Sequence, residues 1–418
     1  MQLQIKKLSE CCLSISDGDH QPPPKQDKGV PFITISNFNQ MNEISFENVM
    51  YVSEEYYEGL ADIKRVQEGD ILYSVVGSFG IPILIRKNER FVFQRHIAIL
   101  RPNRDIVLPE YLYYVLLNPD FYRLAEKYAI GAAQKTISLD SLRNIEIKIH
   151  PLEEQKRIVS KLVCIDDKIR NNTAINDNLL QQLQLIYNYW FTQFDFPSKE
   201  NHPYNASGGV MVRNEQVKRT IPANWELKSL GELCIFRNGI NYDKSIEGEK
   251  TYKIINVRNI SSTDIMLNEN ELDEIRLPQK QGDKYCVSAE SIIIARSGIP
   301  GATRILYKPS NNTIFCGFVI SCTPIDSDMQ YYLTFYLKQL EGSSATKTGG
   351  SILQNVSQDT LSNLIVPIPP KEILGKFNQI VSQTFELFHE NLKETSRLVK
   401  LRDWLLPLLM NGQATIDD

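Results

Sequence analysis

The stretch from Pro151 to Phe196 reads as one long amphipathic helix, and it limits the possible folds more than any other part of the chain. Apolar residues recur at Ile158, Leu162, Ile165, Ile169, Leu179, Leu183, Ile186 and Trp190, and with Asn172 and Asn176 inserted every step is three or four residues. That is a coiled-coil heptad. At about 1.5 Å per residue the helix would be roughly 65 Å long, more than one compact domain can bury, so it requires a partner helix.

The chain supplies that partner itself. Pro369-Pro370-Lys371-Glu372 opens a second helix carrying Ile373, Phe377, Ile380, Val381, Leu387, Phe388, Leu398, Leu401 and Leu405, with Pro407 and Gly412 as stop signals. The two helices occupy equivalent places in a repeat offset by 219 residues, Pro151 falling on Pro370 and Asn172 on Asn391. At the same offset Ile137-Ser138-Leu139-Asp140-Ser141-Leu142-Arg143-Asn144 matches Val356-Ser357-Gln358-Asp359-Thr360-Leu361-Ser362-Asn363, and Gly131 falls on Gly350. Asn172 and Asn391 read either as exposed polar positions or as buried asparagines that fix coiled-coil register.

At 418 residues the chain has room for two or three domains, each with its own core. No apolar run approaches the roughly 18 residues of a membrane span, and Met1-Gln2-Leu3-Gln4-Ile5-Lys6-Lys7 lacks the apolar core of a signal peptide. A cytoplasmic location with no membrane partner is expected. Cys11, Cys12, Cys164, Cys234, Cys286, Cys316 and Cys322 agree, forming no Cys-x-x-Cys pair and no even framework. Five scattered histidines argue against a zinc site, and no metal ligands are assigned. A net charge of −4 argues against a large nucleic-acid surface of its own, so any such role rests on local patches or on partners.

Residues 1–150 read as a mixed, strand-rich domain. Strand-type runs occur at Pro31 to Ser36, Asp70 to Val76, Ile81 to Ile85, Phe91 to Leu100 and Ile145 to Ile149, with one helix from Pro109 to Lys127. His20 to Gly29, with Pro22-Pro23-Pro24, reads as a loop. Between Arg86 and Arg104 the bases Arg86, Lys87, Arg90, Arg95, Arg101 and Arg104 face only Glu89; this is either a solvated strand face or a ligand patch following the Gly77-Ser78-Phe79-Gly80 turn. Residues 151–196 form the central helix and 197–221 a linker or extended crossover containing Asn205-Ala206-Ser207-Gly208-Gly209.

A second mixed domain, 222–368, repeats the first and leads into the C-terminal helix at 369–412. Leu227 to Cys234 echoes Ile5 to Cys12, and Ile255-Asn256-Val257-Arg258-Asn259 echoes Ile33-Thr34-Ile35-Ser36-Asn37. Ser291-Ile292-Ile293-Ile294-Ala295-Arg296-Ser297-Gly298-Ile299-Pro300-Gly301 echoes Asp70 to Gly80, a strand followed by a Gly-x-x-Gly turn. Past that turn the second copy stays free of acids through Arg304 and Lys308 until Asp326. Divergent loops on a duplicated scaffold suit two sites that recognise different things.

This order of elements resembles the specificity subunit of a type I restriction-modification system over essentially the whole chain. The resemblance is carried by Ile149-His150-Pro151-Leu152-Glu153-Glu154-Gln155-Lys156-Arg157-Ile158 leading into a long helix, by Tyr204-Asn205-Ala206-Ser207-Gly208-Gly209 before Ile221-Pro222-Ala223-Asn224-Trp225, and by the Gly-x-x-Gly turns. The second copy departs at Pro369-Pro370-Lys371-Glu372-Ile373-Leu374, which lacks the glutamine of Glu154-Gln155. The resemblance implies an α+β fold in which two target recognition domains are separated by two long helices forming an antiparallel coiled coil. Each domain would read one half of a bipartite double-stranded DNA target. The helices would set the spacing and dock two methyltransferase subunits, with or without restriction and translocase subunits.

Reading bases takes Arg or Lys for guanine and Asn or Gln for adenine, and phosphates take Lys, Arg, Ser, Thr and backbone amides. The first domain offers Ser78, Arg86, Lys87, Arg90, Arg95, His96, Gln134, Lys135 and Thr136. The second offers Arg237, Asn238, Asn256, Arg258, Asn259, Arg296, Ser297, Arg304, Lys347, Thr348, Gln354 and Asn355.

No catalytic residues are assigned. Asn118-Pro119-Asp120-Phe121-Tyr122 approaches the Asn-Pro-Pro-aromatic motif of a methyltransferase, but Asp120 replaces the second proline and the chain contains no Gly-x-Gly. There is no Gly-Lys-[Ser/Thr] phosphate loop either. S-adenosylmethionine, ATP and Mg are therefore expected on partner subunits rather than here. Asp166-Asp167 lies within the central helix and reads as a solvated face. Two other readings remain: a coiled-coil scaffold that binds only proteins, and a methyltransferase carrying its own recognition domains.

Overall fold

The computed structural model describes residues 3–18, 24–39, 41–131, 134–242, 248–341 and 356–414. Lys347, Thr348, Gln354, Asn355 and Gly350 lie outside the described residues, as do Pro22 and Pro23. The chain divides into two compact units, one formed by 1–170 with 397–418 and the other by 171–396.

Both units are built on the same three sheets. In the first, a four-stranded antiparallel sheet runs in the order Cys12–Asp17, Ile97–Pro102, Ile71–Ser74, Pro82–Leu84; a three-stranded sheet runs Met50–Val52, Val30–Ile33, Val92–Phe93; and Gln4–Lys7 pairs with Glu146–Ile149. In the second, the orders are Cys234–Asn238, Val319–Pro324, Ile292–Ala295, Thr303–Ile305, then Asp273–Leu277, Lys250–Ile255, Thr313–Phe315, then Glu226–Ser229 with Ile365–Ile368. The internal sequence repeat is thus a repeat of topology.

Local chemistry explains where the elements stop. The run Phe91 to Leu100, expected as one strand, is two strands in different sheets. Its three polar residues, Gln94, Arg95 and His96, make the turn, closed by the Ile97 amide on the Gln94 carbonyl at 3.0 Å. An apolar run alone cannot distinguish one strand from two. The helix expected from Pro109 to Lys127 likewise breaks at Asn118, whose side chain accepts the Asp120 N–H at 3.0 Å and caps a second helix, Pro119–Tyr128. The repeated Ser138 and Ser357 prove to be caps, each accepting the N–H three residues on at 3.0 Å.

The central helix spans Leu152–Tyr187 and continues as a π-helical turn over Asn188–Thr192. The C-terminal helix spans Lys371–Met410. Pro407 does not stop it: the carbonyl that the missing N–H would have bonded belongs to exposed Asp403, and the chain turns away after Met410 through Gly412, in the left-handed region at φ 66°. Within the first unit Ile158 and Leu162 share a core with Leu406, Leu409 and Met410. Within the second, Leu180, Leu183, Tyr187 and Trp190 share one with Ile373, Leu374, Phe377, Val381 and Phe385. The second pairing is antiparallel: Asn172 donates to Glu394 at 2.7 Å, Asn391 donates to Asn176 at 2.8 Å, and Tyr187 meets Phe377.

Three details differ from the heptad as read. Leu180 and Tyr187, rather than Leu179 and Ile186, are buried, because the true α-helical period drifts from a strict heptad. Leu387 and Leu401 are exposed, while Phe385 is buried. Asp166 is no solvated residue: it accepts from Tyr114 at 2.7 Å and from Arg402 at 3.0 Å in the helix seam. Asn172 is buried, as the second alternative has it, while Asn391 is half-buried.

The stretch 197–221, read as a linker, contains a hairpin of Met211–Asn214 with Arg219–Pro222, and Tyr204 stacks on Phe196 at 4.7 Å. No described helix is long and apolar enough to cross a bilayer.

Candidate nucleic-acid interface

In each unit the four-stranded sheet ends in a cluster of turns with one hydrogen-bond pattern. Gly77 and Gly80 adopt φ of 76° and 90°, and Gly298 and Gly301 adopt 77° and 86°, a region that strongly favours glycine, so each glycine pair folds its hairpin back sharply. The Gly80 amide donates to the Ser74 carbonyl at 3.0 Å, and Gly301 donates to Ala295 at 2.9 Å. Beside each turn, Val75 donates to the His96 carbonyl and Arg296 to the Phe318 carbonyl, both at 2.9 Å. A third segment closes each cluster, Ile137 donating to Val75 and Val356 to Arg296, both at 3.0 Å. The frame is the same in both copies and the residues it displays are not.

The first cluster brings together Ser78, Arg95, His96, Gln134, Lys135 and Thr136. Gly77 donates to the Lys135 carbonyl at 3.1 Å, and Thr136 bridges both Val76 and Ile130. Ser78, Arg95, Gln134 and Lys135 are exposed. A hydrogen bond from Lys135 to Glu126 raises the lysine's pKa above the ordinary range, so it remains a cation.

Arg86, Lys87 and Arg90 are not part of this cluster. They lie at the opposite end of the Ile71–Leu84 hairpin, where Ile85 donates to the Asp70 carbonyl. Arg90 pairs with Glu54 at 2.6 Å and Glu58 at 3.0 Å and lies over the Tyr57 ring, while Lys87 pairs with Glu89 at 3.2 Å. Arg101 pairs with Asp70 at 2.9 Å and Arg104 donates to the Glu68 carbonyl at 3.2 Å. The apparent excess of bases in the sequence is thus largely balanced by acids and carbonyls from other segments.

The second cluster gathers Arg296 and Ser297 with the turn at Gly317-Phe318, since Arg296 Nη1 donates to the Gly317 carbonyl at 3.3 Å. Asn238 is exposed at the end of its strand, and Gly239 donates to the Val319 carbonyl at 3.1 Å, placing it alongside. A Cβ on Gly298 would come within 2.8 Å of Val257 Cγ1, which places the helix start at Asn256 and Arg258 against the same turn.

Some residues singled out from the sequence have structural work. Arg304 is a correction: its side chain is 6 % exposed and its donors are engaged by Glu341 at 2.6 Å and by the carbonyls of Ile260, Thr263 and Thr303. Buried Asn259 is another, its Oδ1 accepting the Asn256 N–H at 2.9 Å as a helix cap. Arg237 donates to the Lys284 and Cys286 carbonyls at 3.3 and 3.0 Å, and exposed Arg258 pairs with Asp273.

Sequence reasoning did not pick out Phe318 and Ile299, which are 63 % and 44 % exposed at the second cluster, or Asn241, which presses its Oδ1 against Gly317. The only signal was a large apolar residue directly after a glycine, at Gly317-Phe318 and Gly298-Ile299.

A duplicated recognition scaffold, with one frame and two different sets of displayed side chains, is the class these observations define. A model of the type I restriction modification DNA specificity domain matches residues 7–181 and again 222–398, and the chain belongs to that family. It is 25% identical over 407 residues to the type I restriction enzyme HindI specificity subunit of Haemophilus influenzae, covering 84% of this chain and 87% of that protein. It is also 25% identical over 319 residues to the MjaIX specificity subunit of Methanocaldococcus jannaschii, covering 75% of this chain and 71% of the relative. The crystal structure of a type I restriction-modification S subunit from M. genitalium shares the fold, with a TM-score of 0.57 at 16% identity over 100% of this chain and 97% of that one.

Proposed function

We propose that this chain is the DNA-reading subunit of a type I restriction-modification complex, with the two domains reading the two halves of a bipartite target. The observation that carries this reading is the match of a DNA specificity domain to both copies of the repeat, each copy ending in the same turn frame with different exposed side chains. Direct readout needs donors and acceptors on rigid protrusions. Gln134 and Ser78 supply them in the first domain, with Lys135 beside them as a phosphate contact, and Arg296, Ser297, Asn238 and Asn256 supply them in the second.

The chain guides chemistry rather than performing it. Two methyltransferase subunits dock on the helices and carry S-adenosylmethionine, and any restriction subunit carries ATP and Mg. Partner subunits supply many of the phosphate contacts, which reconciles a net charge of −4 with DNA binding. The complex works in the cytoplasm.

Mapping methylated adenines across the host genome with and without the gene tests this. Loss of one motif with two defined halves around an unspecified gap is the expected result. An unchanged methylation pattern in an active host system would refute it.

A further inference from the structure

Equivalent positions of the two turn clusters differ in chemistry. Ser78 and His96 of the first correspond to Ile299 and Phe318 of the second, through the shared hydrogen bonds of Val75 with His96 and of Arg296 with Phe318. The first pair is polar and the second is apolar. Phe318 and Ile299 are 63 % and 44 % exposed, although each follows a glycine in a turn where a polar residue would fit at no cost.

The placement of Phe318 follows from the ladder. Ile294 pairs with Ile320 and Ala295 with Val319, so Arg296 and Phe318 are the next cross-strand pair. Directly opposed residues point to the same face of a sheet, with Cβ atoms about 5 Å apart. Arg296 is steadied by its bond to the Gly317 carbonyl, so both side chains leave the same face of the sheet at one tip. An exposed aromatic ring on the same tip as an arginine suits two neighbouring base-pair edges, one offering hydrogen-bond acceptors and the other an apolar group. In the major groove the apolar group is the 5-methyl of thymine, for which phenylalanine is an apolar contact, while arginine pairs with the O6 and N7 of guanine.

We infer that Phe318, with Ile299, reads a thymine 5-methyl group in the half-site of the second domain, next to a guanine contacted by Arg296. This rests on the DNA-reading function proposed above and goes further, in assigning the second domain an apolar readout at the two positions where the first domain has Ser78 and His96.

The test uses the complete complex of this chain with its methyltransferase subunits and a labelled duplex carrying the mapped target. Each thymine of either half-site is replaced in turn by uracil, which removes only the methyl group. The wild-type complex is expected to lose about fourfold in affinity at one thymine of one half-site, the value of one buried methyl-sized group. Phe318→Ala is expected to bind thymine and uracil duplexes equally, and Phe318→Leu to keep part of the preference. At 63 % exposure Phe318 can be truncated without opening the core.

A target with no thymine in either half overturns the inference, as does a specific complex whose uracil sensitivity is unchanged by Phe318→Ala. If Phe318→Ala weakens both duplexes equally where the wild type shows no preference, the methyl contact is also overturned, and the ring instead acts as a wedge between base steps. A wild-type complex with no sequence preference at all overturns the underlying function as well, so the two failures are distinguishable.

Discussion

The two copies of the repeat hold the same helix pairing together by different means. At the helix positions that align at the repeat offset, the first copy has Gln155, Ile158 and Asp166 where the second has Leu374, Phe377 and Phe385. Across the seam, Arg402 stands where the second unit has Leu183, and, with Tyr111-Leu112-Tyr113-Tyr114 aligned on Tyr332-Leu333-Thr334-Phe335, Tyr114 corresponds to Phe335. The first unit therefore closes its helix seam with a largely buried ion pair, Asp166–Arg402, and ties the start of the central helix to the segment before Pro109 through Gln155, which is fully buried and bonds Leu108, Ile106 and His150 at 2.8 to 3.0 Å. The second closes it with rings: Phe377 packs on Phe191 at 4.9 Å and touches Tyr187, Trp190 and Phe335. The backbone pairing needs only volume and satisfied polar groups at these positions, and it accepts either solution.

The largest effect that would break this comparison is at the ion pair. Asp166→Leu leaves Arg402 paired only with exposed Asp403 and strands the Tyr114 hydroxyl, and should destabilise the first unit by about 2–3 kcal/mol, read from urea unfolding. Transplanting the second unit's solution, Tyr114→Phe with Asp166→Phe and Arg402→Leu, should recover most of that loss, because a buried ion pair can be replaced by packed apolar groups. If the triple variant is as unstable as the single one, the two seams are not interchangeable.

Next is Gln155→Leu, which puts the second copy's residue into the first and strands the Leu108 amide and two carbonyls. It should cost about 2–3 kcal/mol by the same measurement.

At the tips, Arg296→Ala should weaken specific binding by roughly 10-fold to 100-fold and relax one base position. Lys135→Ala should weaken binding to all sequences alike and lower the salt dependence by about one unit. Fluorescence titrations at several salt concentrations separate the two, and unchanged isotherms for both variants would remove these loops from the interface.

The smallest effect is with pH. Burial holds the pKa of His150 below its usual value, against the opposing pull of Glu154, while Tyr111 bonds its Nδ1 at 2.7 Å. The neutral ring is therefore the native form. Its contribution is present above the unfolded pKa of about 6.5 and is lost as pH falls through the lower folded value. The unfolding midpoint should drop on acidification below that point, and His150→Asn should flatten the drop.

Much of this architecture was legible in the sequence, because a repeat of motifs reports a repeat of topology. Capping serines and left-handed glycines are local signals, and the structure uses them at Ser138, Ser357, Gly77 and Gly298; Asn118-Pro119 is a local signal of the same kind that the single helix read over Pro109 to Lys127 passed over. Long-range pairing was not legible. Nothing near Arg90 in sequence shows Glu54 or Glu58, nothing near Arg304 shows Glu341, and nothing near Asp166 shows Arg402. Each charge looked available until the fold brought its partner. Phe318 was missed for the opposite reason: an aromatic residue between two apolar strands looks like core, and only the turn at Gly317 exposes it.

Two frames with different tips make one central claim, that each domain reads its own half of one target. It is tested most directly by mapping methylated adenines in cells carrying the wild-type chain, Gln134→Ala or Arg296→Ala. One bipartite motif is expected for the wild type, with relaxation of one half by Gln134→Ala and relaxation of the other half by Arg296→Ala. Relaxation of the same half by both variants, or of both halves by either one, would contradict it.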